Sequence, residues 1–303
     1  MADVLRLADL DLANHTGETW SKNIRGGVLS ALAPSAPDIK VGSTDHFTFT
    51  GTPKAELVGE SVPKNSQDRK PGKVTAKTYK VQVTYRYSNE VQWEDEDYQT
   101  GLVDELVGSI ATALNRALDL IAIHGVNPAT GEVAAQVADY FNKPGNGVGR
   151  VVAGASADGD IEDLAAQLQG AGYIATGIGF DPTYAGVLAR SRDAEGRKLY
   201  PELGLGFGFT NFQGLAAASS DTVSGRQELD TEDATLKAIM GDFRAFKWGV
   251  ARQIPLELIE FGDPDGNGDL KRTNEVAIRA ESVLGFAIFD YAAFALVEGA
   301  PLS

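Results

Sequence analysis

The sequence predicts an α+β fold whose lobes are interleaved along the chain. A long helical pattern runs from residue 100 to residue 124, strand patterns stand before it and again in the last third, and a shorter mixed segment lies between. Helices and strands that are segregated in this way are typical of the α+β class. With 303 residues the chain is long enough to bury a sizeable core.

The central helix is predicted by its apolar periodicity. Apolar residues recur at three- and four-residue steps from Leu102 to Ile121 and form one broad face. Thr100 is predicted as the N-cap, and Gly125 ends the pattern. At about 1.5 Å per residue this spine helix would be on the order of 36 Å long, so it can serve as a structural backbone.

The residues before the spine helix predict an arm and a hairpin. Residues 1–43 combine a short helical pattern with a turn-rich passage. Two strand patterns follow, at His46–Gly59 and Val74–Tyr87, and the second alternates strictly between apolar and polar residues. Together they predict a long hairpin with a polar tip at 61–73.

The hairpin tip is basic, although the protein as a whole is acidic. It holds one acidic residue, Asp68, and four basic residues: Lys64, Arg69, Lys70 and Lys73. A two-stranded ribbon is marginal in water, and this tip has no apolar face to pack on its own subunit. We therefore expect these four residues to contact a neighbouring copy of the chain. A solvated loop that keeps a sheet edge soluble is the alternative.

The middle of the chain predicts a compact α/β unit. A helix is predicted at Asp160–Gln169, and a buried strand at 173–180 leads into another helix. Asp181 is the predicted cap of that helix and Pro182 its first residue. The glycine-rich passage 204–214 lacks phosphate-binding spacing, so a flexible loop is predicted there.

The last third of the chain predicts long strands. From Ala238 onward, alternating patterns predict a hairpin paired beside the spine helix. A final apolar run at 286–297 predicts a strand that returns to the α/β unit.

The composition disfavours several classes of protein. The chain has 27 basic and 42 acidic residues, a net charge of −15, and phosphate contacts need clustered lysine and arginine. It has no cysteine, which removes disulfides and thiolate metal sites. No secretion signal is recognised, and no apolar run is expected to reach the roughly 20 residues of a membrane span.

The sequence gives no support for an enzyme. Its three histidines, His15, His46 and His124, are widely spaced and match no zinc-protease or nucleophile-elbow motif. The carboxylate run at 94–97 does not resemble the two facing carboxylates of a glycosidase. We therefore predict no catalytic residues and no cofactor.

One passage is close to a calcium-binding loop. Asp263, Asp265 and Asn267 have the spacing of calcium ligands, but Glu275 comes one place too late to be the bidentate ligand. The flanking patterns are strands, so a tight turn is the favoured interpretation. No metal site is predicted, although a weak structural cation site at these residues is left open.

Several passages, taken in order, resemble the major capsid proteins of tailed bacteriophages with the Hong Kong 97-type fold. The likeness extends over most of the chain from about Lys54, and it depends on the ordered set rather than on one motif. The passages are AELVGE at 55–60, ALDLIAIHG at 117–125, FDPTYAGVLARSRDAEGRKLYPEL at 180–203, IMGDFRAFKWGVARQIPLELIE at 239–260 and NEVAIRAESVLGFAIFDYAAFALV at 274–297.

The resemblance implies a division of the chain into an arm, an extended-loop hairpin, a peripheral domain with the spine helix, and an axial α/β domain. The implied segments are 1–43 for the arm, 44–88 for the extended loop, 89–128 with 240–280 for the peripheral domain, and 129–239 with 281–303 for the axial domain.

The resemblance also implies a structural subunit that self-assembles, as hexamers and pentamers, into an icosahedral shell around double-stranded DNA that it encloses without sequence-specific binding. The implied location is the virion, after assembly in the host cytoplasm. The implied partners are a portal and either a separate scaffold protein or none, and the presence of decoration proteins is left open. The alternative is an encapsulin-like nanocompartment that encloses an enzyme cargo. Covalent cross-linking through loop lysines is not predicted.

Overall fold

The protein folds around two β-sheets and one long helix. The computed structural model describes residues 26–36, 39–49, 53–60, 64, 66, 71–98, 102–154, 156–204, 208–229 and 235–299. One sheet has four antiparallel strands in the order β1-β2-β9-β8, and the other has six strands in the order β3-β10-β7-β4-β6-β5. The predicted α+β class is confirmed.

The elements have the following bounds. The helices are α1 (Leu29–Leu32), α2 (Asn89–Tyr98), α3 (Leu102–Asp119), α4 (Ala157–Gly170), α5 (Pro182–Leu188) and α6 (Leu270–Thr273). The strands are β1 (Ser43–Thr48), β2 (Gly72–Ser88), β3 (Gly149–Val152), β4 (Gly177–Phe180), β5 (Asn211–Phe212), β6 (Leu215–Ser219), β7 (Leu236–Gly241), β8 (Phe246–Ile259), β9 (Glu275–Ile288) and β10 (Phe294–Glu298).

The predicted spine helix is present. It consists of α3 and a π-helical turn at Leu120–His124, and Gly125 ends it in the left-handed conformation with a φ of 70°. The predicted cap, Thr100, lies outside the described residues. The helix packs across β2 and β9, where Ile110 meets Tyr87 and Ile278 in a buried cluster.

The expectation that no apolar stretch is long enough to span a membrane is wrong. Asp104–His124 is a helix of sufficient length and hydropathy, because its apolar face is broad and it carries few charges. Half of this apolar window is buried inside the subunit, however. The core helix of a soluble protein has the same properties, and this helix packs on a sheet through its apolar face.

The hairpin is partly as predicted. The strand expected at Val74–Tyr87 is confirmed as β2, but the strand expected at His46–Gly59 is wrong. β1 ends at Thr48, and residues 53–59 form no strand. The reason is pairing: β2 begins at Gly72, opposite Thr48, and from Lys77 onward it pairs with β9. The described residues therefore provide no partner strand for 53–59.

The described part of the arm lies across the four-stranded sheet. The backbone carbonyl of Trp248 accepts a hydrogen bond from the Ala36 amide at 2.7 Å. The indole N–H of Trp248 donates to the Ala33 carbonyl at 3.1 Å. Gly249 and Gly285 are cross-strand neighbours beneath this segment. Side chains at these two positions would fill the space that the arm occupies. The helix pattern near the N-terminus lies outside the described residues.

Replacing Gly249 with alanine is expected to destabilise the subunit by about 1–3 kcal/mol. A Cβ atom at this position would lie 2.2 Å from the Ala36 carbonyl oxygen, which belongs to the backbone and cannot rotate away. Urea unfolding measures the loss. Alanine at Gly170, which has open space around it, is the control and should change stability little. Equal stability of the two variants would contradict this packing.

The middle segment supplies strands β3 to β6 of the six-stranded sheet and the helices α4 and α5 that pack on it. The predicted helix is confirmed and is longer, at Ala157–Gly170, whereas the predicted buried strand is shorter, at Gly177–Phe180. Asp181 caps α5 by accepting from the Thr183 amide at 2.7 Å, and Pro182 is in the first turn, as predicted. The passage expected to be a flexible loop contains β5, so that expectation is wrong for Asn211–Phe212.

The last third is a hairpin followed by a return strand, as predicted. β8 and β9 pair antiparallel in the four-stranded sheet, and β10 lies between β3 and β7 in the other. The apolar run expected at 286–297 is interrupted by a 3₁₀ turn, which Asp290 caps by accepting from the Ala292 amide. The largest core cluster draws on both sheets, and it includes Phe246, Phe286 and Phe294.

The four predicted domain segments stay a prediction. The proposed boundaries at 239/240 and 280/281 fall inside β7 and β9, respectively.

Candidate inter-subunit surface

The loop between β1 and β2 exposes apolar side chains to solvent. Leu57 is 101% exposed, and residues 53–60 are exposed apart from the half-buried Val58. At the base of the loop, Phe47 is 71% exposed on the solvent face of β1. Leaving a large apolar side chain in water rather than burying it costs about 1.5–3 kcal/mol. Such a loop gains stability if another surface covers it.

The four predicted contact residues of the tip are only partly described. Lys64 is exposed, whereas Arg69 and Lys70 lie outside the described residues. Lys73 is exposed but is paired within its own subunit, 2.7 Å from Asp45. Its hydrogen bond, with that of Thr75, lowers the pKa of Asp45. Lys73 is thus part of the hairpin base.

The spine helix packs on the middle strands of the four-stranded sheet and does not cover the edge strand β8. A helix is about 10 Å wide and strands lie about 4.8 Å apart, so one helix covers about two strands. Here it packs on β2 and β9, and the apolar side chains of β8 remain about half exposed: Val250, Leu256 and Leu258. A groove of about 330 Å³ separates the helix from β8, with Ile110, Leu114, Val250 and Leu256 in its walls.

Beyond Trp248, where Ser35 of the arm forms a parallel bridge, the outer edge of β8 is poorly suited to pairing with another strand. Pro255 lacks an amide hydrogen, and the register with β9 shifts at Val250/Arg252 and again at Ile254/Glu257. Proline and bulges at a sheet edge block the addition of further strands. The β8 surface is therefore available for side-chain packing rather than for sheet extension.

The start of the spine helix is strongly acidic. Between Arg86 and Arg116 the chain has no lysine or arginine and seven carboxylates: Glu90, Glu94, Asp95, Glu96, Asp97, Asp104 and Glu105. The hairpin tip has the opposite charge. Each copy of the chain thus carries two sequence segments of opposite charge.

A buried ion cluster ties the spine helix to the six-stranded lobe. Arg116 donates to both carboxylate oxygens of Asp221, at 2.8 and 3.1 Å, and its Nε donates to Glu228 at 3.1 Å. Burial favours a neutral Asp221, but the hydrogen bonds and charge of Arg116 outweigh this effect and hold the pKa of Asp221 below its usual value. The turn at 220–225 is fully buried against the helix.

A second buried carboxylate joins three parts of the chain. Asp119, one turn after Arg116, accepts hydrogen bonds from the amides of Val28 and Leu29, at 2.5 and 3.1 Å. It also accepts from the Thr222 hydroxyl at 2.6 Å. Asp119 therefore caps the N-terminus of α1, which belongs to the arm, and holds the 220–225 turn through Thr222.

The histidines have structural surroundings where the structure describes them. His124 is buried with Nε2 3.1 Å from the Thr222 carbonyl, and burial lowers its pKa to about 4. His46 packs edge-on against Phe289 with ring centroids 5.4 Å apart. His15 lies outside the described residues.

The calcium-like passage is a turn that is held by an arginine. Asp265 accepts from the buried Arg86 at 2.8 Å and from Asn267, so its carboxylate is already in use. Asp269 caps the short helix α6. Over the described ranges, no group of three or more His, Cys, Asp or Glu side chains is placed to hold a metal ion.

These features define a class of protein: a shell-forming structural subunit, built on a spine helix and two sheets, with a loop and a groove that are uncovered in the single copy. The chain belongs to the phage capsid family, whose family model matches residues 23–299. It is a phage capsid protein, and the predicted Hong Kong 97-type fold is confirmed.

Solved structures from phages agree with this assignment. A chain from Mycobacterium phage Ogopogo is 39% identical, with a TM-score of 0.84, covering 98% of this chain and 100% of that one. A chain from Gordonia phage Cozz is 30% identical, with a TM-score of 0.80 and coverage of 95% and 90%. The capsid of an empty GTA particle, at 18% identity and a TM-score of 0.63 over 97% of both chains, shares the fold. No curated protein matches the chain. Nothing in these comparisons supports the cargo-filled nanocompartment.

Proposed function

We propose that many copies of this chain close, as hexamers and pentamers, into the icosahedral head of a tailed phage around double-stranded DNA. The observation that carries the proposal is the 39% identity over nearly the full length to a chain from a phage. The exposed loop and the open groove support it, since both would be covered in an assembly. The proposed role is structural, without enzymatic activity, and the proposed location is the virion after assembly in the host cytoplasm.

We further propose the partners that such a head requires. A portal, a scaffold and decoration proteins are candidates. The DNA would be held without sequence-specific contacts, since the net charge of −15 disfavours a general phosphate-binding surface. The segments 1–43, 44–88, 89–128 with 240–280, and 129–239 with 281–303 are the proposed arm, extended loop, peripheral domain and axial domain.

Expression of the chain tests the proposal directly. Electron microscopy of the purified protein, with and without its neighbouring gene products, should reveal closed particles of uniform size. Particles that contain DNA would support a phage head, whereas particles filled with a single enzyme would support a nanocompartment. A protein that stays a monodisperse monomer under all these conditions would contradict the proposal.

The tip of the extended loop is proposed to contact a neighbouring copy through Lys64, Arg69, Lys70 and Lys73. Because Lys73 also pairs with Asp45 in its own subunit, the test uses the other three. Changing all three to glutamate is expected to raise the subunit concentration needed for assembly at least about tenfold, because attraction between opposite charges becomes repulsion. Sedimentation of assembled particles measures the effect. The matched control, Lys64→Arg with Lys70→Arg, keeps the charge and should assemble normally. Normal assembly of the glutamate variant would contradict this contact and would support the alternative, a solvated loop.

A further inference from the structure

Two asparagine residues of the chain precede a glycine, and both lie in the tripeptide Gly-Asn-Gly. They are Asn146, in the loop before β3, and Asn267, in the turn between β8 and β9. The four glycines that flank them all have a positive φ, from 74° to 106°. The two asparagines share their sequence neighbours, so a difference in their reactivity must come from the surrounding structure.

An asparagine that precedes a glycine can lose its side-chain amide without an enzyme. The backbone nitrogen of the glycine attacks the asparagine Cγ and closes a five-membered succinimide ring. The side-chain nitrogen leaves as ammonia, with the proton of the backbone N–H. Water then opens the ring at either carbonyl and gives aspartate or isoaspartate. Glycine permits the attack because it has no Cβ beside its nitrogen and its backbone is free to reach many conformations.

Asn146 is held by three hydrogen bonds. Its Nδ2 donates to the carbonyls of Tyr140 and Phe141, at 3.0 and 2.9 Å, and its Oδ1 accepts from the Val148 amide at 3.1 Å. The residue is also half-buried. Attack on its Cγ by the nitrogen of Gly147 requires the side chain to turn and these bonds to break. The fold therefore protects Asn146.

Asn267 is exposed and is held only within its own turn. Its Nδ2 donates to Oδ2 of Asp265 at 2.9 Å, and its backbone N–H donates to Oδ1 of the same residue at 3.3 Å. Residues 260–269 form neither helix nor strand. A Cβ atom added at Gly268 would have no neighbour within 4 Å, so water can reach the site of ring opening.

The carboxylate of Asp265 favours the reaction at Asn267. Burial raises the pKa of Asp265, but the hydrogen bonds from Asn267 and the charge of Arg86 outweigh burial and hold this pKa below its usual value. Asp265 is therefore an anion in contact with the nitrogen that leaves. An anion in this position stabilises the positive charge that the nitrogen gains as it is protonated.

We propose that Asn267 is a site of spontaneous deamidation in the folded chain, and that the reaction weakens the attachment of the β8–β9 turn to β2. The inference goes beyond the proposed function and does not depend on it, because the reaction needs only the folded chain and water.

The weakening follows from the position of Asn267 beside the anchor of the turn. The buried Arg86 of β2 donates to Asp265 at 2.8 Å and to the Gly268 carbonyl at 3.1 Å. Deamidation replaces a donor to Asp265 with a second negative charge. Isoaspartate also lengthens the backbone just before Gly268. Both changes disturb the two acceptors in the turn that Arg86 holds.

The purified chain tests the inference, because Asn146 is a control within the same molecule. The folded protein and a sample in urea are incubated at mildly alkaline pH, and tandem mass spectrometry of tryptic peptides measures the converted fraction at each asparagine. In the folded protein Asn267 should convert about tenfold faster than Asn146, since fewer hydrogen bonds must break. In urea the two should convert at similar rates. A folded chain in which Asn267 converts no faster than Asn146 would overturn the inference.

Two variants extend the test to the intact protein. Asn267→Gln would have to close a larger, six-membered ring, so the acidic form that ion-exchange chromatography separates from the aged protein should be largely lost in this variant. An unchanged rate of its formation would count against Asn267 as the site. Asn267→Asp mimics the product and should unfold at a lower urea concentration than Asn267→Gln. Equal midpoints for these two variants would overturn the proposed weakening of the turn.

Discussion

Replacing Arg116 with methionine is expected to lower the free energy of unfolding by about 3–5 kcal/mol, because it leaves two carboxylates near each other without their cation. The side chains of Arg116 and Asp221 are only 6% and 8% exposed, so water cannot take the place of the missing guanidinium. Urea unfolding of the purified subunit, followed by tryptophan fluorescence, measures the change.

The exposed ion pair of Arg197 is the matched control. Arg197 contacts Asp193 at 3.3 Å but is 75% exposed, and Arg197→Met should change stability by less than about 0.5 kcal/mol. The double variant Arg116→Met, Asp221→Leu should recover part of the loss, since it removes one of the two unpaired charges and leaves only Glu228. A cost below about 1 kcal/mol for Arg116→Met alone would mean that the cluster does not hold the 220–225 turn.

The spine helix and the long strands could be predicted because their signals are local. Apolar residues three and four apart produce the helix of Leu102–Asp119, and strict alternation produces β2. The same kind of signal predicted a strand at His46–Gly59, and that prediction was wrong. A strand also needs a partner opposite it, and the position of that partner was decided by where β2 and β9 pair.

The buried charges could not be predicted, because their partners are distant in sequence. Arg116 lies 105 residues from Asp221, and Arg86 lies 189 residues from Glu275. Arg86 stands on the face of β2 that alternation marks as polar, yet it is 7% exposed. The available signal was a charge within an apolar helix, as at Arg116 and Asp119. That signal indicates a buried pair without naming the partner.

The loop contact remains a prediction for a related reason. Sequence places basic residues at the tip and carboxylates at the start of the spine helix, but it does not reveal which strand the helix leaves open. The structure adds that β8 is the uncovered strand and that Lys73 is already paired with Asp45. The contact of all four predicted residues with a neighbouring copy stays a prediction, and Lys73 would share its charge between that contact and Asp45.

Removing the Asp119 carboxylate is expected to have an effect as large as that of Arg116→Met. Asp119→Ala leaves the amides of Val28 and Leu29 and the Thr222 hydroxyl without an acceptor, and each unsatisfied buried donor costs about 1–3 kcal/mol. We expect a loss of about 3–5 kcal/mol in urea unfolding. Asp242→Ala, which removes a cap near the surface, is the control and should cost about 1 kcal/mol.

The charge of Asp119 should also be visible in the pH dependence of stability. Burial raises the pKa of Asp119 from 3.8 to about 6, against the three hydrogen bonds and the charge of Arg116 that lower it. Between these two pH values the folded subunit keeps a proton that the unfolded chain has released, so the contribution of Asp119 to stability falls as the pH rises from about 4 to 6.

The variant Asp119→Asn tests this, because an asparagine side chain does not titrate. From about pH 5 to 7.5 the unsubstituted subunit should therefore lose about 1.5 kcal/mol more than the asparagine variant, because all other titrating groups are shared. Parallel stability profiles for the two proteins would mean that Asp119 is ionised throughout this range and that its hydrogen bonds outweigh its burial.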